Sequence, residues 1–357
     1  MPVYQRMRMR NAAALCAVAL LASLVCVGKA AHAAPPGTLR EVVFSEYSPL
    51  SGNAELARRI LSPLAAARVS EMLAESGKQM RDQPIDLSGE KFAVYVPQRV
   101  PGAGYALLVF VPPWNDARLP DGWAPVLDQE GVVFVAAARS GNDQNVLGRR
   151  MPLALLAEQN AASRYRIDPQ RVFVAGFSGG SRVALRLALA YPDIFHGAIL
   201  NAGSDQIGSA RIPLPPRELF LQFQQSTHLV YVTGDGDMFH LAADLASIRS
   251  MEAWCVIGVE DQTAPFADHE VIGSAALSRA LEALFHPVSP EAAKLDGCRA
   301  AIDAELTARL AQVRTLIAGG ERNSARQLLQ DTDARYGGLA APGSTELAKA
   351  LGGAGDP

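Results

Sequence analysis

The segment RVFVAGFSGGSRVALRLALAYPD, residues 171–193, constrains the fold more than any other part of the chain. Its apolar run at 171–175 is typical of a buried strand, and residues 179–191, rich in Ala and Leu, favour a helix. The G-x-S-x-G sequence between them places Ser178 on the connecting turn, where the backbone can expose a nucleophilic hydroxyl. An ordinary glycine-rich turn or a phosphate-binding loop is the alternative, although the spacing differs from G-x-x-x-x-G-K-[ST].

Short apolar runs alternate with helical segments from residue 91 to residue 285. Several of these runs are continuous rather than alternating in polarity, as in strands that are covered on both faces. The alternation of strands and helices predicts an α/β fold with a doubly wound, mostly parallel sheet, followed by a C-terminal helical extension. The predicted strands cover residues 92–96, 105–111, 132–137, 172–175, 198–200, 229–233 and 253–259.

A serine activated on such a turn needs an acid after a later strand and then a histidine after the next strand. The strand predicted at 229–233 is followed by Asp235 and Asp237. Asp237 is favoured because it lies four residues past the strand end, although either aspartate would also suit a helix cap. The next strand leads to His269, whereas His240 is a rival base that lies close in sequence to the acid. The predicted catalytic residues are Ser178, Asp237 and His269.

The N-terminus has the pattern of a secretory leader. Three arginines precede an apolar stretch at 12–28, and Ala31-His32-Ala33 offers a small-residue cleavage site. A retained membrane anchor is the alternative, since seventeen apolar residues is borderline for a span. The predicted domains are a signal peptide at 1–33, an N-terminal flanking segment packed on the core at 34–90, a catalytic domain at 91–286, and a helical hairpin with a flexible C-terminal tail at 287–357.

Cleavage of this leader implies a periplasmic or extracellular protein. Loss of its four basic residues would change the formal net charge from −3 to −7, which favours neither nucleic acid nor an anionic membrane as a partner. We therefore expect no stable membrane association after cleavage. Cys255 and Cys298 are the two cysteines left, and an oxidising compartment predicts a disulfide between them. Two buried free thiols are the alternative.

The segment YRIDPQRVFVAGFSGGSRVALRLALAYPDIFHGAILNAG resembles the α/β-hydrolase esterases related to polyhydroxybutyrate depolymerases and feruloyl esterases. Similarity extends over about residues 91–285 and is strongest around Ser178. The resemblance implies an α/β-hydrolase fold and a secreted serine hydrolase that cleaves carboxylic esters through an acyl-enzyme. Its substrate would be a small-molecule or polymeric ester, and no cofactor would be needed.

One segment departs from the pattern of these esterases. They usually carry a His-Gly-Gly-type loop that donates one N–H to the oxyanion, whereas this chain has Pro-Pro-Trp-Asn-Asp at 112–116. Proline has no N–H to donate. Trp114 or Asn115 would then replace the missing donor beside the Gly179 N–H, unless Trp114 only packs the loop.

Two further features of the sequence are less specific. Asn142 and Asp143 follow the strand at 132–137, where they would either line a substrate pocket or form a polar turn. Arg149 and Arg150 open a helix and are expected on a solvated face. The sequence contains neither a CxxC pair nor an H-E-x-x-H motif, so no metal site is predicted.

Two alternatives to the esterase remain open. A peptidase on the same fold would use the same three residues, and only a comparison of ester and amide substrates separates the two. A non-catalytic binding or scaffold protein would keep the fold with a degenerate oxyanion loop. The proline pair at 112–113 is the feature that suggests this alternative. The acyl and alcohol specificity, the oligomeric state and the role of the C-terminal hairpin cannot be derived from these residues.

Overall fold

A computed structural model describes residues 37–288 and 291–352, so the predicted leader at 1–33 lies outside the described residues. Within them, eight strands form one sheet. Of the seven strands predicted from apolar runs, three have the predicted bounds, three are longer by one or more residues at each end, and the last is misplaced. The strands are β1 (Gly37–Val42), β2 (Phe92–Val96), β3 (Tyr105–Val111), β4 (Val132–Ala137), β5 (Ile167–Phe177), β6 (Gly197–Asn201), β7 (His228–Gly234) and β8 (Val259–Ala264).

Helices connect these strands and extend beyond the last one. The helices are α1 (Asn53–Ile60), α2 (Pro63–Ser76), α3 (Ala124–Glu130), α4 (Met151–Arg164), α5 (Gly179–Ala190), α6 (Arg217–Ser226), α7 (Met238–Ala253), α8 (Ser274–Phe285), α9 (Ala292–Ala318), α10 (Arg322–Tyr336) and α11 (Gly343–Ala350).

The strand order in the sheet is β1-β2-β4-β3-β5-β6-β7-β8. Strand β2 runs antiparallel to both of its neighbours, and the strands from β4 to β8 pair in parallel. This arrangement, with helices on both faces, is the α/β-hydrolase fold that the sequence predicts. The parallel strands have their carboxyl ends at one edge of the sheet, which is where open α/β sheets hold their ligands.

Apolar side chains cover both faces of the sheet. One hydrophobic cluster joins α4 and α5 to one face, and a second joins α3 and α8 to the other. Val174 of β5 belongs to the first cluster and Phe173 to the second, as the two-residue period of a strand requires. The continuous apolar runs of the sequence therefore mark strands buried on two sides.

The N-terminal flank packs on the core through a buried arginine. Arg59 of α1 donates to Glu55 at 2.6 Å and to both carboxylate oxygens of Asp193, which follows α5. Its guanidinium also lies 4.5 Å from the centre of the Tyr191 ring. Because the side chain is 4% exposed, this pairing holds α1 against the end of α5 with little competition from water.

The last strand of the sheet lies later in the sequence than expected. The strand predicted at 253–259 is wrong, because residues 254–258 form the turn after α7 and β8 begins at Val259. Its sequence, VEDQTA, is polar because β8 is the edge strand and pairs with β7 alone. Trp254 and Val256, which produced the apolar signal, are buried in packing outside the strand.

A disulfide joins Cys255 to Cys298, as the sequence predicts, with a sulfur–sulfur distance of 2.00 Å. Cys255 lies in the turn after α7, and Cys298 lies in the second turn of α9. Arg299, the next residue, donates to the Gln224 side chain and to the Leu221 carbonyl of α6. The bond therefore attaches the C-terminal helices to the end of the sheet opposite the carboxyl ends of its strands.

Among the described residues, no helix combines the length and the hydropathy that crossing a membrane requires.

We predict that replacing Cys255 and Cys298 by Ala lowers the free energy of unfolding by about 2–4 kcal/mol, because the bond closes a loop of 43 residues in the unfolded chain. Urea denaturation of both proteins measures the difference. A thiol titration of denatured, unreduced protein lacking residues 1–33 should find no free thiol, whereas two thiols would contradict the pairing.

Candidate active site

Ser178 occupies a strained turn between β5 and α5. Its backbone angles are φ 54° and ψ −122°, a conformation that costs a residue with a side chain on the order of 1–3 kcal/mol. The Ser178 N–H donates to the Asn201 carbonyl at 2.8 Å, which fixes the turn against β6. The half-buried Ser178 side chain lies at the carboxyl ends of the strands.

Glycines allow this turn to approach its neighbours closely. A Cβ at Gly176 would lie 2.2 Å from the Gly180 carbonyl oxygen, and a Cβ at Gly180 would lie 1.9 Å from that of Val111. No side chain fits at either position without moving backbone. Gly176 and Gly180 therefore allow α5 to pack directly against the ends of β3 and β5.

Two loops from neighbouring strands meet beside Ser178. Asp237 follows β7 and begins α7, where its carboxylate accepts the His240 N–H at 3.3 Å. His269 lies in the loop between β8 and α8. The Gly236 N–H donates to the Ala267 carbonyl at 3.0 Å, so the two loops are bonded to each other directly.

The structure brings the three predicted catalytic residues into one hydrogen-bonded chain. His269 Nε2 lies 3.0 Å from Ser178 Oγ, and His269 Nδ1 lies 2.6 Å from Asp237 Oδ2. Asp237 is buried, whereas Asp235 is exposed and its N–H bonds to the Ala264 carbonyl. Of the two candidate acids, Asp237 is thus the one that contacts the histidine.

Asp237 is held in its ionised form. Burial raises the pKa of its carboxyl group, but hydrogen bonds from His240 and His269 outweigh burial and bring the pKa below its ordinary value. A carboxylate at this position favours the His269 tautomer with its proton on Nδ1. Nε2 is then free to accept the proton of the Ser178 hydroxyl.

His240 also contacts the Asp237 carboxylate, and the sequence did not predict this contact. Its Nδ1 lies 2.8 Å and 2.9 Å from the two Asp237 carboxylate oxygens, and its ring stacks on His269 with centroids 4.1 Å apart. The two rings are 12° from parallel. The close spacing of Asp237 and His240 in the sequence argues against a long-range triad but fits this local contact at the start of α7.

Asn201 is a second residue that sequence patterns did not identify. Its side chain donates to the Val232 carbonyl at 3.0 Å and accepts the Ile272 N–H at 3.0 Å. Its backbone carbonyl accepts the Ser178 N–H. Asn201 therefore connects the serine turn with the histidine loop, and its position at the carboxyl end of β6 is the one signal that could have identified it.

The loop at 112–115 runs beside the start of α5. Trp114 packs its ring 6.3 Å from that of Phe177, which in turn lies 4.8 Å from the His269 ring. The Asn115 side chain donates to Asp143 at 3.0 Å and accepts the Gly141 N–H at 3.0 Å. Its amide group is therefore engaged in bracing the next loop.

Arg150 braces the same loop from below. The prediction that Arg150 lies on a solvated face is wrong, because the residue is 3% exposed and donates to the Pro112 carbonyl at 2.9 Å and the Ser140 carbonyl at 2.8 Å. Burial lowers the pKa of its guanidinium to about 10. Arg149 behaves differently: it is half-buried and forms an ion pair with Glu90 at 2.7 Å.

Asn142 and Asp143 both lie at the site, and both are exposed. Asn142 covers Gly179, because a Cβ at Gly179 would lie 2.1 Å from Asn142 Oδ1. Asp143 is turned toward Asn115 and Gln144, whose side chains lower the pKa of its carboxyl group. The two residues thus form a polar rim next to the start of α5.

No protein-family model matches the chain. A poly(3-hydroxybutyrate) depolymerase of Ralstonia pickettii is 34% identical over 95 residues, which cover 23% of this chain and 20% of that enzyme. NocK of Nocardia uniformis subsp. tsuyamanensis, named as an esterase, is 43% identical over 54 residues, 15% of this chain and 14% of its own. The chain is related to the α/β-hydrolase esterases. Its matched segments span a fifth or less of these relatives.

Among solved structures, the S-formylglutathione hydrolase FrmB of Staphylococcus aureus superposes with a TM-score of 0.43. The sequence identity is 12%, and the superposition covers 55% of this chain and 93% of that one.

We predict that Gly180→Ala strongly reduces the yield and stability of folded protein, because the new Cβ would collide with the Val111 carbonyl. Gly297→Ala is the matched control: it also lies in a helix, a Cβ there meets nothing within 4 Å, and the change should stabilise α9 by up to about 1 kcal/mol. Thermal unfolding of both variants tests the difference. A Gly180→Ala protein that unfolds at the wild-type temperature would contradict the packing described.

Proposed function

We propose that the protein is a serine hydrolase that cleaves carboxylic esters through an acyl-enzyme. Ser178 attacks the ester carbonyl, His269 takes its proton and returns it to the leaving alcohol, and Asp237 orients His269 and stabilises its charged form. The 3.0 Å approach of His269 Nε2 to the Ser178 hydroxyl, on a strained turn, is the observation that carries this assignment. The similarity to named esterases supports the ester as the substrate class.

The oxyanion would be bound at the start of α5. As the first residue of the helix, Gly179 has an N–H that the helical hydrogen-bond pattern leaves free. The second donor would come from the backbone N–H of Trp114 or Asn115, since the Asn115 side chain is already hydrogen-bonded to Asp143. Asn142, which covers Gly179, would limit access to this position from one side.

A cleft of about 360 Å³ offers room for the substrate. Trp114 borders it on one side and Val271, two residues past His269, borders it on the other. Leu119, Pro120 and Ile272 contribute apolar surface, and Arg118 and Asp121 contribute charges of opposite sign. A larger cavity of about 860 Å³ lies between α2 and α10. Ser178, Asp237 and His269 line neither cavity, and we assign the substrate to the smaller cleft because the loops that carry Trp114 and His269 border it.

The compartment would be the periplasm or the outside of the cell. The leader pattern at 1–33 and the disulfide between Cys255 and Cys298 both support export. The domain boundaries predicted from the sequence are part of the same proposal, with the catalytic residues inside 91–286. No cofactor takes part in this mechanism.

We expect Ser178→Ala to lower kcat for p-nitrophenyl butyrate by about 10⁶, as losses of the nucleophile do in serine hydrolases. Ser226→Ala, at the exposed end of α6, is the control and should keep the wild-type rate. Circular dichroism should show both variants folded.

A Ser178→Ala variant that retains most of the ester turnover would overturn the assignment of the nucleophile. Assaying p-nitrophenyl butyrate beside the matching anilide separates an esterase from a peptidase. We expect turnover of the ester alone.

A further inference from the structure

Three potential metal ligands converge next to Ser178. Within the described part of the chain, Asp237, His240 and His269 form a group whose ligand atoms all lie within 4.8 Å of one another. Both histidines direct Nδ1 at the same carboxylate oxygen, Asp237 Oδ2, at 2.9 Å and 2.6 Å. A catalytic triad uses one such contact, so the second leaves an arrangement that the proposed reaction does not require.

These ligand types suit zinc. Two imidazole nitrogens and one carboxylate oxygen are a common set for Zn²⁺, with a fourth position for water. At bond lengths of about 2.0–2.1 Å, neighbouring ligand atoms of a tetrahedral site lie about 3.3 Å apart. The two nitrogen–oxygen distances would therefore have to lengthen by roughly half an ångström. One imidazole would also have to turn out of the parallel stack so that both Nδ1 atoms face the same ion.

The His240 ring is packed between two neighbours. The His240 ring lies against the backbone of Gly203, where a Cβ would come within 2.6 Å of its Cδ2. On its other side it stacks on His269. The His269 side chain is 39% exposed and that of His240 17% exposed, so an ion can reach them from solvent.

We propose that Asp237, His240 and His269 bind Zn²⁺, and that the bound ion inhibits the enzyme. A metal on His269 Nδ1 leaves the neutral imidazole with its proton on Nε2. Nε2 then faces the Ser178 hydroxyl as a donor and can no longer accept its proton. The ion also takes the Asp237 carboxylate from its role in orienting His269. Inhibition rests on the proposed function, whereas metal binding does not.

Binding is tested without turnover on the full-length Ser178→Ala protein. Calorimetric titration with ZnCl₂ should show one ion bound per chain. Adding His240→Phe, which keeps an aromatic ring to stack on His269, should weaken binding at least about tenfold. His240→Gln is a second version of the same test, and His286→Phe, an exposed histidine after α8, should bind as the parent does.

Nitrogen NMR of the imidazoles supplies a readout that needs no histidine variant. Zn²⁺ should shift His269 Nδ1 to a metal-bound position and place the proton on Nε2. Unchanged imidazole signals at saturating Zn²⁺, or equal affinities for the parent and both His240 variants, would overturn the site.

Inhibition is then tested on the wild-type enzyme with p-nitrophenyl butyrate. Zn²⁺ should reduce the rate, EDTA should restore it, and His240→Phe should need at least about tenfold more Zn²⁺ for half-inhibition relative to its own metal-free rate. If Zn²⁺ binds but leaves the rate of ester hydrolysis unchanged, the proposal that the ion inhibits the enzyme is wrong. If the metal-free enzyme cleaves no ester, the proposed function fails and the titration still decides the metal site.

Discussion

The close approach of α5 to strands β3 and β5 is the constraint on which the site depends. Gly176 and Gly180 allow the first turn of the helix to touch the strand ends at distances that exclude any side chain. This contact forces Ser178 into a backbone conformation that costs on the order of 1–3 kcal/mol. The burial of β5 on both faces, between α5 and α8, offsets that cost and holds the hydroxyl in place.

The Asp237 carboxylate organises the polar half of the site. It lies at the point where the loops after β7 and β8 meet, and hydrogen bonds keep it ionised despite its burial. Because two histidines share it, the same carboxylate serves both proposals: it would orient one base for catalysis, and it would complete a ligand set when both imidazoles turn their Nδ1 atoms to an ion. The proposed catalytic residues and the proposed inhibitory site would therefore share the same atoms.

The sequence predicted the features that depend on local pattern. Strands buried on both faces appear as continuous apolar runs, and the order of turn, acid and histidine follows from the chain direction in a parallel sheet. The apolar pattern does not locate strand β8, because an edge strand tolerates polar residues. The burial of Arg150 and the contacts of Asn201 depend on backbone carbonyl and N–H groups far away in the sequence, and no periodicity reports such partners. The closeness of His240 to Asp237 in the sequence, which argues against His240 as the base, is the reason the two residues touch.

Labelling of the protein lacking residues 1–33 with a fluorophosphonate, followed by mass spectrometry of its peptides, tests the central claim most directly. The reagent reacts with serines whose hydroxyl is activated by a neighbouring base. We predict a single label on the peptide that contains Ser178, and its loss in Ser178→Ala and His269→Ala. A folded wild-type protein that takes up no label, or takes it up at another serine, would contradict the account.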